Sequence, residues 1–93
     1  MSDRITQRDV EAVCRRINRV VNGAELEPYV RDGDGLHAVI GAYTISGAYG
    51  GVSLHRIVNE NGGVTDVFGC GHMPKRELYD RMEAFLRGLE VAS

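Results

Sequence analysis

Cys70 stands two residues before His72, and Ser46 and Ser53 have His37 and His55 as candidate bases. A thiol or hydroxyl becomes a nucleophile only with a base at hydrogen-bond distance and an oxyanion site, and nothing in these spacings implies either. Cys70 and His72 could chelate a metal through a tight loop, but zinc takes four ligands, and the other cysteine, Cys14, falls on an apolar helical stripe. A strand-end cysteine followed by a turn is the simpler reading, and no metal is expected. Asp32-Gly33-Asp34-Gly35 suggests calcium, yet the third acidic position and the closing glutamate of a calcium loop are missing. Gly47-Ala48-Tyr49-Gly50-Gly51 is rich enough in glycine to cradle phosphate, but a strand follows it where a phosphate loop would open a helix. Glu60 and Asp66 flank an open hairpin, without the shared enclosure that paired acid and base groups need. The expectation is a protein without catalytic residues or cofactor.

The elements that carry these residues are plainer. A chain of 93 residues makes one small domain, 1–93, able to bury a single core. Its 43% apolar and 26% charged content suits a folded, soluble protein. Two cysteines are too few for a disulfide framework, and no apolar run approaches the roughly 18–20 residues of a membrane span. The opening MSDRITQRD is too polar for a secretory signal, so a reduced, cytoplasmic setting is expected.

From Thr6 to Asn22, apolar residues recur at Val10, Val13, Cys14, Ile17, Val20 and Val21, the pattern of a helix with one buried stripe. Thr6 can cap its start and Asn22-Gly23 its end. The segment around Pro28 reads as a connector or edge strand, and the turn of residues 31–35 makes an edge hairpin natural. Leu36–Ser46 is apolar on both faces and predicts one strand, central to its sheet or covered on both sides. Val52–Asn59 and Val64–Cys70 alternate in the manner of strands on either side of the turn Asn59-Glu60-Asn61-Gly62-Gly63. Pro74 suits the first turn of a second helix, in which Leu78, Met82, Phe85, Leu86 and Leu89 line one face and Glu77–Arg81 and Glu83–Arg87 pair on the other. The expected fold is therefore α+β: a two-layer domain with an antiparallel three- or four-stranded meander between an N-terminal and a C-terminal helix.

The formal charge of −2 conceals an uneven distribution. Residues 1–19 hold five arginines and three acids, whereas residues 20–70 hold two arginines and six acids. On the first helix Arg8, Arg15 and Arg19 lie within about 40° of one another, opposite the apolar stripe. They form a solvated basic ridge, or a weak nucleic-acid contact as the alternative. The acidic middle exposes Asp32, Asp34, Tyr49, Glu60 and Asp66 on its turns, the residues expected to meet a partner with a basic surface. Among basic surfaces, those that handle nucleic acid stand out. A different class of function, sequestering a small molecule or nucleotide, would use a pocket under the loop of residues 47–51. An edge strand near Pro28 and a half-apolar outer sheet face also suit pairing as a symmetric dimer.

The run Ser46-Gly47-Ala48-Tyr49-Gly50-Gly51-Val52-Ser53-Leu54-His55-Arg56-Ile57-Val58-Asn59-Glu60-Asn61-Gly62-Gly63-Val64, followed by Lys75-Arg76-Glu77-Leu78-Tyr79 and Met82-Glu83-Ala84-Phe85-Leu86-Arg87-Gly88-Leu89-Glu90, resembles small accessory proteins of tailed bacteriophages and prophages. The resemblance covers roughly residues 24–90 and carries no catalytic or ligand motif. It implies a setting inside a bacterial host and a role in binding and disabling a host protein or ribonucleoprotein complex. The most concrete form is an anti-CRISPR, or anti-defence, inhibitor.

Overall fold

The computed structural model describes residues 4–33 and 35–92, and of Asp32 only the backbone. The first helix, α1, spans Gln7–Asn22. Thr6 and Asp9 form a reciprocal capping box: the Asp9 amide donates to the Thr6 hydroxyl at 3.3 Å, and the Thr6 amide donates to the Asp9 carboxylate at 2.8 Å. Gly23 ends the helix with a φ of 78°, a left-handed conformation that a residue with a Cβ adopts at a cost. The second helix, α2, spans Lys75–Ala92 directly after Pro74. Glu77 pairs with Arg81 at 3.3 Å as its spacing predicts, whereas Glu83 turns away from its own helix to Arg16 of α1, also at 3.3 Å.

Between the helices run β1 (Tyr29–Asp32), β2 (Gly35–Ala38), β3 (Tyr43–Ala48), β4 (Gly51–Ile57) and β5 (Val64–Asp66). All pairings are antiparallel, but the strands form two sheets: a β1-β2 hairpin and a β3-β4-β5 meander. The α+β class with flanking helices is as expected; the single strand over Leu36–Ser46 is not. It breaks at Gly41, whose φ is 91°, and there two residues oppose one: the Gly41 amide donates to the Ile57 carbonyl while the Ile57 amide donates to that of Ala42. An extra residue in one strand bends it and disturbs the ladder, so β2 leaves the meander, and Leu36 on β2 and Ile40 in the turn after it are 61% and 56% exposed. The return strand is also shorter than Val64–Cys70, because Gly69 and Gly71, both at positive φ, turn the chain before Met73 rejoins Val52 of β4.

Both helices cover one face of the meander. Val10, Val13, Cys14 and Ile17 of α1 and Leu78, Met82 and Leu86 of α2 close over Tyr43, Val52 and Leu54, with Met73 at the margin. Val20 and Val21, expected in the stripe, are each 37% exposed, and Asn18 is buried instead. Its carboxamide accepts from the Tyr43 amide at 2.8 Å and donates to the Tyr43 carbonyl at 3.0 Å, acting as a one-residue strand beside β3. A smaller core of Ala38, Ala42 and Ile57, backed by Leu26 and Val39, joins the two sheets. Among the described residues no helix is long and apolar enough to cross a membrane.

Candidate recognition surface

Side chains alternate across a strand, so with Tyr43 and Leu54 on the helix side, Thr44, Ser46, Ser53 and His55 share the outer face, and the pairing of His55 with Asp66 places Asp66 there too. The segment of residues 67–72 folds back along this face. His72 reaches from beside β4 to Ser46 on β3, Nε2 lying 3.2 Å from Oγ. In doing so it passes over Ser53, the cross-strand partner of Ser46, which is fully buried and whose hydroxyl has no hydrogen-bond partner. The rings of Tyr49 and His55 meet that of His72 edge to face, with centroids 6.2 and 6.1 Å away.

Asp66 holds the returning segment in place. Its carboxylate accepts from the amides of Gly71 at 2.8 Å and Gly69 at 3.2 Å. Burial pushes the Asp66 carboxyl up, but the amides of Gly71, Gly69 and Phe68 and the charge of His55 outweigh this and hold it below the usual carboxylate range. A carboxyl depressed in the folded state stabilises the fold above its unfolded value of about 3.9 and ceases to do so as the pH falls through the folded value. The stability advantage of the native protein over Asp66→Asn is therefore expected to be constant at neutral pH and to shrink below about pH 4, as read by urea denaturation across pH.

The pair of Ser46 and His72 brings an imidazole nitrogen to a hydroxyl, one component of nucleophilic catalysis. The amides of Gly69 and Gly71, just before His72 in the chain, donate to Asp66. Cys70 is not paired with His72; it is exposed, and its thiol donates to the Phe68 carbonyl at 3.3 Å. Cys14 is buried, and burial pushes its thiol up to about 12. At pH 8 a thiol reagent is expected to label Cys70 alone in the native protein and both cysteines after unfolding, as counted by mass spectrometry. Among the described residues no group of three or more His, Cys, Asp or Glu is placed to hold a metal ion.

The residues expected to meet a partner do not form one cluster. Tyr49 and Gly50 make a two-residue hairpin turn at one end of β4, and Glu60 stands on the turn at the other end, roughly 20 Å away along the strand. Asp66 lies between them with its carboxylate directed at backbone amides. Asp34 and the Asp32 side chain lie outside the described residues. On α1, Arg15 and Arg19 converge on Glu25 at 3.8 and 2.5 Å, so the basic ridge is partly neutralised, with Arg8 exposed beyond it.

The loop expected over residues 47–51 contracts to that same two-residue turn, because Gly47 and Ala48 belong to β3 and Gly51 to β4. A cavity of about 330 Å³ lies elsewhere, between α1, the connector of residues 25–28 and the start of β3. Glu11, Arg15, Glu25, Glu27 and Ile45 are among its lining residues. Sequence reasoning missed this cavity, since its walls come from three separate stretches. It also missed the Ser46 and His72 pair, since the reversals at Gly69 and Gly71 redirect the chain. No family model, curated protein or solved structure matches the chain.

Proposed function

We propose that the protein is a non-enzymatic binding domain that docks on a basic surface of a larger protein or ribonucleoprotein complex, using the outer face of its meander with Tyr49 as the aromatic anchor. The observation that carries this reading is Tyr49 itself. It is fully exposed, and its φ of 54° makes it the one described residue other than glycine with positive φ. A two-residue turn with both central residues at positive φ favours Asn, Asp or Gly, and an L-residue with a bulky side chain gives up about 1–2 kcal/mol there. The ring returns little of that through its single edge contact with His72. Strain of this kind points towards function rather than folding, and an exposed aromatic at the tip of a two-residue hairpin is the kind of side chain that fills a pocket at the centre of an interface. The excess of acids over residues 20–70, six against two arginines, inclines the molecule towards a basic partner, with Glu60 at the far end of the meander. In its sharpest form, suggested by the likeness to phage accessory proteins, the reading is an anti-CRISPR type of inhibitor that occupies the nucleic-acid-binding surface of a bacterial defence complex in the host cytoplasm.

The test is affinity capture from bacterial lysates containing assembled CRISPR effector complexes, with the native protein, Tyr49→Asn and Glu60→Lys as baits. The native protein is expected to retain an identified effector complex and to be displaced by its nucleic acid. Tyr49→Asn should unfold at the same or a higher temperature and lose the complex, because asparagine suits the turn and removes the anchor. Retention of the complex by Tyr49→Asn would remove the anchor assignment, and failure of the native protein to capture any effector complex would remove the inhibitor reading.

A further inference from the structure

We infer that the open edge of β3 accepts an extended, basic peptide segment as an added strand, with a lysine or arginine side chain entering the cavity between α1 and β3. The inference rests on the reading of the protein as a binder of basic partners, and it names how such a partner attaches. The direction of the β3 backbone groups follows from the ladder. On β4, the even-numbered residues point away from β3: the Val52 amide donates to Met73, the Leu54 carbonyl accepts from Val67 and the Val58 amide donates to Gly63. Odd-numbered β4 residues therefore face β3 and meet Thr44, Ser46 and Ala48. Tyr43, Ile45 and Gly47 then turn their amides and carbonyls outward. The Tyr43 pair is taken by the Asn18 carboxamide, at 2.8 and 3.0 Å. Among the described residues nothing meets the outward groups of Ile45 and Gly47, which leaves two rungs in line with the one that Asn18 fills.

Exposed edges in natural sheets are usually blunted by lysine, proline or a bulge. β3, with the sequence Tyr-Thr-Ile-Ser-Gly-Ala, has no charge and no proline along its length. The occupant's chemistry comes from what lies beside this edge. The cavity of about 330 Å³ reaches Ile45 and has three glutamates, Glu11, Glu25 and Glu27, against one arginine, Arg15, in its lining. Glu25 is engaged by Arg15 and Arg19, and Glu11 accepts from Gln7 at 3.1 Å. Glu27 is exposed and has no ion pair among the described residues. An added strand gains affinity from its backbone hydrogen bonds and specificity from alternate side chains in pockets. Here the pocket selects a cation.

A library of random twelve-residue peptides, selected against the full chain, tests this. Enriched peptides are expected to share one lysine or arginine within an alternating, β-favouring run, and on binding to slow hydrogen exchange at the Ile45 and Gly47 amides. Gly47→Pro removes an outward amide and no ladder bond, and proline is tolerated on an edge strand. It should keep the native melting temperature and lose at least tenfold in affinity for the selected peptide. Glu11→Lys with Glu27→Lys should do the same. Selection that enriches no basic residue, or none at all, would overturn the inference, as would full affinity in Gly47→Pro or exchange protection elsewhere. A concentration-dependent dimer that Gly47→Pro dissolves would place a second copy of the chain on the edge and overturn it as well. Capture of the effector complex through Tyr49 with no effect of Gly47→Pro would overturn this inference and leave the proposed function standing; selected peptides with no captured complex would do the reverse.

Discussion

Replacing Asn18 by alanine is expected to lower the unfolding free energy by about 2–4 kcal/mol, from a total of roughly 5–15 kcal/mol for a domain of this size. Asn18 is 2% exposed, and its carboxamide is the hydrogen-bond partner of both outward groups of Tyr43. Truncation leaves a buried amide and a buried carbonyl unpaired at about 1–3 kcal/mol each. It also removes the acceptor that Asn22 uses at 3.3 Å, while Asn22 itself holds the Gly41 carbonyl at 3.0 Å. The corner of residues 41–43, where the two sheets part, is thus tied to α1 through two asparagines. The expected fall in melting temperature is about 10–20 °C, with an unchanged urea m-value. Asn18→Asp discriminates further. It keeps an acceptor for the Tyr43 amide but sets a carboxylate against the Tyr43 carbonyl, so it should be at least as damaging at pH 7 and recover in part in acid, where a protonated carboxyl regains a donor. A loss under 0.5 kcal/mol for Asn18→Ala would show that water entering from the adjacent cavity satisfies Tyr43.

Leu54→Ala is expected to cost about 3–4 kcal/mol, whereas Ser53→Ala, one residue earlier on the same strand, should be neutral or stabilising by up to about 1 kcal/mol. Both residues are fully buried. Leu54 lies on the helix side of the central strand, within the cluster shared by α1 and α2, where neighbours on three elements hold the space open after truncation. Its cost is therefore lost transfer energy with a cavity term added. Ser53 lies on the outer side, and its hydroxyl is buried without a partner. Alanine keeps nearly the same shape and removes the unsatisfied group. Urea denaturation of the two variants side by side reads the contrast directly, and equal losses would show that the Ser53 hydroxyl is bonded.

Much of this architecture was legible because it is local. The alternation of apolar residues in Val10–Ile17 and Leu78–Leu89, the cap at Thr6, the stop at Gly23 and the turn at Asn59–Gly63 all depend on neighbours a few residues away. Asn59 shows why: its side chain accepts from the amides of Asn61 and Gly63, so the turn carries its own hydrogen bonds. Leu36–Ser46 misled because an apolar run reads as one strand, and only the bulge opposite Ile57 shows that Gly41 divides it. Val20 and Val21 misled in the opposite direction, since helical periodicity places residues on a face but does not say how far the sheet extends beneath it.

By itself the sequence determined the α+β class, the two helices, the hairpin turns and the acidic middle of the chain, all of which follow from periodicity, caps and composition. Only the tertiary structure decided that Asn18 fills a rung beside β3, that His72 crosses Ser53 to reach Ser46, that Arg15 and Arg19 spend their charge on Glu25, and that Ile45 and Gly47 leave an open edge beside an acidic cavity. Each of these joins residues far apart in the chain or depends on which way a backbone group points. Such relations are set by strand register and helix packing, and no spacing within a single stretch encodes them.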